Sequence, residues 1–329
     1  MKKVTQKDIA SRVGVSCQLV SIVLNNSSDI PRCRPELTKK IIKVANELNY
    51  RPSRVAKQMK HRRTGGIGIL MKNVAHVEHD LLQALLSEAK KNDYMISLEQ
   101  VKDDKPNDVV IINEEVVDGI IVFADINQET LNQMDNIHEP ILFYNTYKQT
   151  GTDVITCDDF QGGALAASKL IEANRKKIVY LTYDSPTHPS LKQRKEGIEG
   201  ECKKNNVEFI GEICCKKSAQ YYSEELAPEI AEKLKNIDFD GVVLYSDMLG
   251  THFYEAMKIL GKSIPKDCSV ISFNNSGLAQ FIRPRLTSLY IPYETIGSTI
   301  INKVVELIKQ ENQTEIPSLQ YKVAEWDSV

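Results

Sequence analysis

The sequence predicts an α/β protein in which a small all-helical head precedes a larger body built on parallel sheets. Short apolar runs alternate regularly with helical patterns from Ile67 onward, and this alternation is typical of parallel sheets covered by helices on both faces. Residues 5–25 instead show the pattern of two short helices joined at a glycine, as in a helix-turn-helix. The fold class is therefore α/β with a separate helix-turn-helix head.

Three positions predict the helix-turn-helix. With Gln6 as the first helical residue, the fifth position is Ala10, the ninth is Gly14 and the fifteenth is Val20. The small alanine lets the second helix cross closely, the glycine permits a left-handed turn, and the β-branched valine fills the angle between the helices.

The ends of both helices carry capping residues. Thr5 and Asp8 have the spacing of a capping box, and Ser16 is placed to cap the second helix. The second helix then has an inward face and an outward face, and an outward face of this kind lies in the DNA major groove in helix-turn-helix proteins. The inward residues are Val20, Val23 and Leu24, and the outward residues are Cys17, Gln18, Ser21 and Ile22.

Charge distinguishes this motif from a plain helical hairpin, which the loose spacing also allows. Residues 1–63 contain fifteen Lys and Arg against four acidic residues, a net charge of +11. The whole chain carries −2, so residues 64–329 carry −13. A compact basic head on an acidic body indicates phosphate binding.

A third helix is predicted from Pro35 to Leu48, because Ile41, Val44, Ala45 and Leu48 recur at helical spacing. The body then offers eight candidate strands and six candidate helices. Two smaller sheets are favoured over one large sheet. The strands are Ile67–Met71, Met95–Leu98, Gly119–Phe123, Ile141–Tyr144, Ile178–Thr182, Val207–Ile213, Val242–Tyr245 and Val270–Phe273; the helices are Asp80–Lys91, Phe160–Ala173, Leu191–Lys204, Glu224–Leu234, Leu249–Leu260 and Tyr293–Lys309.

Composition sets the broad class. The length of 329 residues suggests two or three domains, and 42% apolar residues suffice for real cores. Asp8 and Arg12 interrupt the first apolar run, and no uninterrupted apolar span of about 18 residues occurs. Seven cysteines without a C-x-x-C pair fit buried thiols in a reducing compartment. We therefore expect a soluble cytoplasmic protein with no membrane partner.

Known catalytic motifs are absent from the sequence. The segment Gly66-Ile67-Gly68 lacks the third glycine of a dinucleotide fingerprint, and neither a phosphate-binding P-loop nor a G-x-S-x-G elbow occurs. His76 and His79 are spaced H-x-x-H without the further ligands of a zinc site. We expect neither an enzyme nor a cofactor or metal.

The head resembles that of the LacI/GalR family of bacterial transcription regulators. The resemblance lies in the run from Val4 to Asn25, in PELT at 35–38 and in LNYRPS at 48–53, and it continues through the rest of the chain. It implies two Rossmann-like subdomains of periplasmic-binding-protein type, with three chain crossings near Asp158, Leu289 and Leu319 and a ligand cleft between the subdomains. The implied divisions are a head at 1–52, a hinge helix and linker at 53–65, an N-terminal effector subdomain at 66–158 plus 290–318, and a C-terminal effector subdomain at 159–289 plus 319–329.

The resemblance also implies the DNA contacts. In the family the segment Ser53 to His61 is a hinge helix, and Met59 stands where a leucine wedge usually enters the minor groove. Ile22 replaces the usual arginine, so we expect an A·T pair rather than G·C at that base, with Gln18 reading a neighbouring adenine. The candidate DNA-binding residues are Thr5, Ser16, Cys17, Gln18, Ser21, Ile22, Asn25, Arg54 and Met59.

Polar and aromatic residues near the strand ends are candidate ligand contacts by the same resemblance. Arg194 stands where the family arginine reaches ligand oxygens, and Asn274-Asn275 replace the usual pair of aspartates. Each such residue alone is more often a strand-capping or turn residue than a ligand contact. Together they suit a sugar. The candidates are His76, Glu78, Asn145, Ser190, Arg194, Tyr222, Ser246, Asp247, Asn274 and Tyr293.

These expectations combine into a homodimeric repressor that binds a roughly palindromic operator and is controlled by a small effector in the cleft. The helix Asp80–Lys91, with Leu81, Leu82, Leu85 and Leu86 on one face, is either the dimer surface or core packing. Three alternatives stay open: a soluble sugar-binding protein, control by a partner protein, and an anionic effector, since Arg194 would face less competing negative charge without the two aspartates.

Overall fold

A computed structural model describes residues 4–24, 34–52, 63–72, 78–102, 105, 108–123, 128–135, 137–146, 153–183, 189–215, 225–311 and 318–329. The chain divides into two compact units, residues 1–63 and 64–329. Within the described ranges, no helix has the length and apolar character needed to cross a membrane.

Three helices form the head: α1 (Gln6–Val13), α2 (Cys17–Leu24) and α3 (Pro35–Glu47). Gly14 ends α1 in the left-handed conformation, with φ of 83°, as predicted. Its N–H donates to the Ala10 carbonyl at 2.9 Å, which is the hydrogen bond that closes such a turn.

Both predicted caps are present. The Asp8 carboxylate accepts a hydrogen bond from the Thr5 backbone N–H at 2.7 Å, and the Ser16 hydroxyl accepts one from the Leu19 backbone N–H at 3.2 Å. These bonds satisfy N–H groups that have no partner inside the helix.

A small apolar core unites the three helices of the head. Val20 and Val23 face inward as predicted, whereas Leu24 and Leu48 are only half-buried. The core side chains are Ile9, Ala10, Val13, Val20, Val23, Ile41, Val44 and Ala45. Eight such side chains suffice because the head is short and its helices cross closely at Ala10.

The first sheet of the body has the order β2-β1-β3-β4-β5, and all its strands are parallel. Strands β1, β3 and β4 are apolar and almost wholly buried, as parallel strands covered on both faces should be. The elements are β1 (Gly66–Met71), α4 (His79–Lys91), β2 (Met95–Gln100), α5 (Val110–Asn113), β3 (Gly119–Phe123), α6 (Gln128–Met134), β4 (Ile141–Tyr144) and β5 (Asp153–Ile155).

The second sheet has the order β11-β10-β9-β8-β6-β7, with β11 alone antiparallel. The sequence-based preference for two sheets is thus confirmed. The elements are α7 (Asp159–Glu172), β6 (Lys177–Tyr183), α8 (Pro189–Lys204), β7 (Glu208–Cys215), α9 (Leu226–Leu234), β8 (Gly241–Leu244), α10 (Asp247–Ile259), β9 (Ser269–Phe273), α11 (Gly277–Phe281), β10 (Thr287–Tyr290), α12 (Tyr293–Lys309) and β11 (Lys322–Ala324).

The chain passes between the sheets more than once. Helix α12 follows β10 of the second sheet yet packs on α4 of the first sheet, so closely that a Cβ on Gly297 would lie 2.8 Å from the Ala84 Cβ. Cys157 and Leu319 then form an isolated parallel bridge between two connecting segments. The two sheets are therefore linked by segments that run side by side.

The leucine face of α4 is divided between core and surface. Leu81 and Leu85 are buried in the core that contains α12, whereas Leu86 is 47% exposed. Core packing is thus the role of Leu81 and Leu85, because α12 covers them. A dimer contact through the exposed side of α4, where Leu86 lies, stays a prediction.

Candidate functional site

Helix α2 presents a polar start and a half-buried middle. Cys17 and Gln18 are exposed, as predicted, while Ser21 and Ile22 are half-buried. Thr5 and Ser16 are exposed at the helix starts. The first turn of α2 therefore offers the most accessible side chains of the outward face. The predicted DNA contacts Asn25, Arg54 and Met59 lie outside the described residues.

The described part of the head carries several exposed basic side chains. Those that are exposed are Lys7, Arg12, Arg34, Lys39, Lys40, Lys43 and Arg51. Arg12 approaches Glu47 at 3.8 Å, and both side chains are about half exposed, so this pair contributes little to stability. The remaining positive charge faces water, where counterions or phosphates neutralise it.

A buried arginine lies at the carboxyl ends of the second sheet's strands. Arg194 on α8 donates from Nε to Asp159 Oδ1 at 2.8 Å, from Nη1 to the Tyr245 carbonyl at 2.9 Å and from Nη2 to the Tyr321 hydroxyl at 2.9 Å. Its guanidinium carbon lies 3.9 Å from the centre of the Phe273 ring. Three of its five N–H donors are thus bonded inside the protein, and the residue is only 5% exposed.

Asp159 neutralises this arginine. The same Asp159 oxygen also accepts from the Tyr321 hydroxyl at 2.9 Å, so three side chains form a closed buried network. Burial by itself lowers the pKa of Arg194, but the electrostatic interactions with Tyr321 and Asp159 outweigh it and hold that pKa above the ordinary range, so Arg194 stays charged. Arg194 therefore has a carboxylate as a direct partner even though asparagines stand at 274 and 275 in place of the family's aspartates.

Close helix packing holds this network in place. A Cβ on Gly163 of α7 would lie 2.0 Å from the Arg194 carbonyl oxygen, and a Cβ on Gly197 of α8 would lie 2.1 Å from that of Phe160. Only glycine at both positions allows α7 and α8 to approach this closely.

Asp247 anchors a second buried network. Its carboxylate accepts from the Ser288 hydroxyl at 2.7 Å, from the Ser276 backbone N–H at 2.6 Å and from the Ser272 hydroxyl. Burial raises its pKa to about 6, against the lowering effect of these hydrogen bonds. Asp247 is 1% exposed, so a ligand contact through its carboxylate requires these bonds to be given up. Ser246, which precedes it, is also buried.

The backbone conformation explains why asparagines follow these strands. Asn145 follows β4 with φ of 54°, and Asn274 and Asn275 follow β9 with φ of 101° and 50°. Asparagine tolerates this left-handed region better than most residues. The turn role is thus present at all three positions.

Tyr293 and Glu78 bring the first subdomain's helices to the end of β9. The Tyr293 hydroxyl, at the start of α12, donates to the Asn274 carbonyl at 2.7 Å. Glu78 precedes α4; burial first, then the negative charge of Asp247, raises its pKa to about 7, while a hydrogen bond with the Asn274 side chain lowers it. Ser190, fully buried, lies 3.3 Å from the Tyr245 hydroxyl. The structure thus brings together the candidates Glu78, Asn274 and Tyr293. The candidates His76 and Tyr222 lie outside the described residues.

Four residues of these networks were not predicted from the sequence: Asp159, Tyr321, Ser272 and Ser288. Asp159 adjoins Asp158, which caps α7 by accepting from the Gln161 N–H at 2.9 Å. The two consecutive aspartates, Asp158 and Asp159, were the sequence feature from which the role of Asp159 could have been predicted. Tyr321 and the two serines have no local signal, because their partners lie 25 to 162 positions away.

Two family models match the chain. The model of bacterial regulatory proteins of the lacI family matches residues 5–53, and that of the periplasmic binding protein-like domain matches residues 167–329. The transcriptional regulator RegA of Clostridium saccharobutylicum is 25% identical over 315 residues, 94% of each chain. The resemblance of this chain to the LacI/GalR family is thereby confirmed.

Solved structures of this family share the fold. A lac repressor dimer bound to operator and the anti-inducer ONPF superposes with a TM-score of 0.79 at 21% identity, over 99% of each chain. A complex of the transcriptional regulator CelR with cellobiose gives a TM-score of 0.69 at 19% identity, over 99% of this chain and 100% of that one. The architecture of a helix-turn-helix head and two periplasmic-binding-protein-like subdomains is thereby confirmed.

The family model that matches residues 5–53 describes bacterial regulatory proteins, and the homologues of this chain are DNA-binding transcription regulators rather than enzymes. Among the described residues, no group of three or more His, Cys, Asp or Glu side chains is placed to hold a metal ion.

Proposed function

We propose that this chain is a cytoplasmic, homodimeric repressor that binds a roughly palindromic operator and responds to a sugar effector between its two subdomains. The observation that carries the proposal is the helix pair turned at Gly14, which exposes Cys17 and Gln18 at the start of a segment, residues 1–63, of net charge +11. A head of this kind binds DNA by phosphate neutralisation and reads base edges with its second helix. A sugar-binding protein without a regulatory role would leave this head unexplained.

Each proposed domain is assigned a role of its own. Residues 1–52 bind the major groove, 53–65 form the hinge, 66–158 with 290–318 form the N-terminal subdomain, and 159–289 with 319–329 form the C-terminal subdomain. The packing of α12 on α4 and the pairing of β11 with β10 support these last two assignments.

Half-site recognition is assigned to the first turns of α2. Gln18 is exposed and offers both a donor and an acceptor, which match the adenine N7 and N6 groups. Ile22 has only an apolar surface for a thymine methyl. In the hinge, Met59 is the wedge at the operator centre and Arg54 contacts the backbone.

A sugar suits the cleft because hydroxyls, amides and aromatic rings converge near the ends of the strands. Ser190, Asn274 and Tyr293 offer polar groups, while Arg194 retains two N–H donors beyond its three protein bonds. The neutral pair Arg194–Asp159 disfavours an anionic effector. Effector binding acts through its different affinity for the DNA-competent and DNA-incompetent states.

Selection of duplexes from a random library tests the DNA half of this proposal. The full chain should retain a two-fold symmetric site with A·T pairs opposite Ile22, and Gln18→Ala should relax the choice of one adenine at each half-site. The variant Ile22→Arg should shift the opposite base to guanine. The matched control, Lys204→Ala, changes a body residue and should leave the selected site unchanged. Selection of a guanine by the wild-type chain opposite Ile22 contradicts the assignment.

A further inference from the structure

We propose that Asp118 is a positioning residue for operator binding, because its carboxylate clamps the first two residues of the body and so fixes the point at which the linker to the head begins. This inference deepens the proposed function and rests on it, since a fixed starting point matters only where two heads must reach one operator together. It follows from the hydrogen bonds at the start of β1, from the place of Asp118 in the first sheet, and from a matching carboxylate in the second sheet.

Asp118 holds the chain where the body begins. Residues 1–63 form one compact unit, and Thr64 is the first residue of the next. The Asp118 Oδ1 atom accepts hydrogen bonds from the Thr64 backbone N–H at 2.6 Å and from the Thr64 hydroxyl at 3.0 Å, while Oδ2 accepts one from the Gly65 N–H at 2.8 Å. Hydrogen bonds to an ionised acceptor are stronger than those between neutral groups. Both oxygens of one side chain therefore hold two consecutive residues.

The backbone around Gly65 completes this clamp. The Gly65 carbonyl accepts a hydrogen bond from the Met95 N–H at 2.9 Å, and the Gly66 carbonyl accepts one from the Asp118 N–H at 2.8 Å. Gly65 has φ of 68°, so the chain turns immediately before β1 in a conformation that favours glycine. The first sheet thus determines the direction of the chain at Thr64.

The clamp lies at the edge of the first sheet that is opposite the proposed cleft. Asp118 immediately precedes β3, the central strand, which pairs in parallel with β1. The amino ends of both strands therefore lie together at the clamp, and their carboxyl ends lie together on the cleft side. Both strands are buried along their whole length, and the six residues of β1 span about 20 Å. A displacement of the first subdomain at the cleft thus moves Thr64 with it.

The second sheet contains the same clamp with a different attachment. Asp240 immediately precedes β8, as Asp118 precedes β3. Its Oδ1 atom accepts hydrogen bonds from the backbone N–H groups of Lys176 at 2.9 Å and Lys177 at 2.8 Å, where β6 begins. The chain held there continues from α7, which belongs to the body. A carboxylate therefore stabilises the entry of a strand in both sheets, and in the first sheet that entry is also the end of the linker.

A fixed starting point matters because a dimer binds two half-sites at once. Once the first head is bound, the second binds with an effective concentration that depends on how widely each linker can move. Release of Thr64 and Gly65 in both subunits lengthens the free chain, which lowers this effective concentration and weakens the discrimination between half-site spacings. Loss of the clamp should therefore affect binding to paired half-sites and spare binding to a single half-site.

Fluorescence anisotropy of the full chain with three labelled duplexes at one salt concentration tests the inference. The first duplex is the two-fold symmetric site that the wild-type chain selects, the second carries one base pair inserted at its centre, and the third has a single half-site. Asp118→Asn places an amide NH₂ group opposite one of the clamped donors. It should weaken binding to the first duplex about fivefold or more and reduce the penalty for the inserted base pair. Binding to the single half-site should change by less than about twofold.

Asp240→Asn is the matched control, because it removes the same kind of clamp from a strand that the linker does not enter. Urea unfolding should show a similar loss of stability for both variants, whereas operator affinity and spacing preference should fall only for Asp118→Asn. Thr64→Val, which keeps both backbone hydrogen bonds to Asp118, should melt like the wild type and weaken binding to the first duplex by about twofold.

Three results would overturn the inference and leave the proposed repressor standing. They are equal operator affinities of Asp118→Asn and Asp240→Asn, an equal loss by Asp118→Asn on the paired and single half-sites, and an unchanged penalty for the inserted base pair. If the wild-type chain selects no two-fold symmetric duplex, the proposed function itself fails, and the role of Asp118 in operator binding fails with it.

Discussion

Arg194 and Asp159 form an ion pair inside the second subdomain, with 2.8 Å between Nε and Oδ1 and exposures of 6% and 3% for the two side chains. The pair joins α8 to the start of α7, and the Tyr321 hydroxyl closes it by donating to the same carboxylate. Because Tyr321 immediately precedes β11, one network ties together three segments that are distant in sequence. The contribution of this network to the free energy of unfolding can be measured.

Asp159→Asn should destabilise the body by about 3–5 kcal/mol, because a buried guanidinium loses its compensating charge. Urea unfolding followed by circular dichroism measures this loss. The matched control is Asp238→Asn, which removes the partner of Lys177 in a fully exposed pair and should leave the unfolding midpoint unchanged. Combining Asp159→Asn with Arg194→Met should recover part of the loss. Equal midpoints for the two single variants would mean that the buried pair contributes nothing.

Gly163→Ala should prevent the native packing of α7 on α8. The added Cβ would lie 2.0 Å from a backbone oxygen of Arg194, which no side-chain movement relieves. Gly200→Ala is the control on α8, because its Cβ would meet only the Phe160 ring at 3.9 Å. It should stabilise the helix by up to about 1 kcal/mol. Thermal melting of both variants distinguishes them, and a native melting temperature for Gly163→Ala contradicts the close packing.

Gly14→Ala should cost the head about 1 kcal/mol through the backbone alone. The glycine has φ of 83°, yet no atom lies within 4 Å of the position its Cβ would take, so the whole effect comes from the left-handed conformation. Gly14→Asn should cost less, since asparagine tolerates this region. Calorimetric melting of the full chain reports the transition of the head. A loss equal for Ala and Asn would indicate a steric cause instead.

Glu78 makes stability depend on pH. Its pKa in the folded chain is about 7, against an ordinary value of 4.5, so the native state holds a proton more tightly than the unfolded state does. The stability that this proton supplies is complete below about pH 4.5 and is lost as pH rises through 7. Glu78→Gln removes the penalty that remains at pH 8, and it should stabilise the body there by about 1–2 kcal/mol after allowance for solvent screening.

The measurement is urea unfolding of the wild type and Glu78→Gln at pH 5 and at pH 8. The difference should be about fourfold smaller at pH 5 than at pH 8, because at pH 5 the native side chain keeps its proton and only the ionisation of the unfolded chain contributes. The control is Glu88→Gln, which removes the partner of the exposed Lys91 on the same helix; it should give the same difference at both values of pH. If Glu78→Gln stabilised the protein as much at pH 5 as at pH 8, ionisation of Glu78 would not be the cause of the stabilisation.

Operator affinity should fall steeply with salt. On a double-logarithmic plot, the slope is about −0.9 for each phosphate neutralised. Lys39→Ala, an exposed change on α3, should reduce the slope by about one if Lys39 contacts a phosphate, without changing the selected sequence. Fluorescence anisotropy with a selected duplex measures both. A slope near zero for the wild-type chain would refute phosphate binding by the head.

The sequence predicted the long elements because their apolar periodicity is strong. Helix α12 was predicted with the bounds it has, Tyr293–Lys309, as were strands β3 and β4. Strands β5, β10 and β11 were missed because they are three or four residues long and include polar residues such as Asp153, Thr287 and Lys322. Short strands of this kind form only when a neighbouring strand is already in place.

The candidate site was predictable in position but not in pairing. The sequence located Asn274 and Asp247 after their strands, because parallel strands place such residues at one edge of a sheet. The sequence did not show which side chains pair with Arg194 and with Asp247. The partner of Arg194 is 35 positions away and the donors to Asp247 are 25 to 41 positions away, and only tertiary packing determines such long-range pairs.

The packing of α12 on α4 has a consequence for the order in which the protein folds during synthesis. The helix that covers Leu81 and Leu85 begins at Tyr293, more than 200 positions later in the chain. The ribosome therefore releases the first sheet long before its covering helix exists, and the whole second sheet up to β10 is made in between. Neither subdomain can finish folding alone, and the unfinished first sheet exposes apolar surface that chaperones recognise.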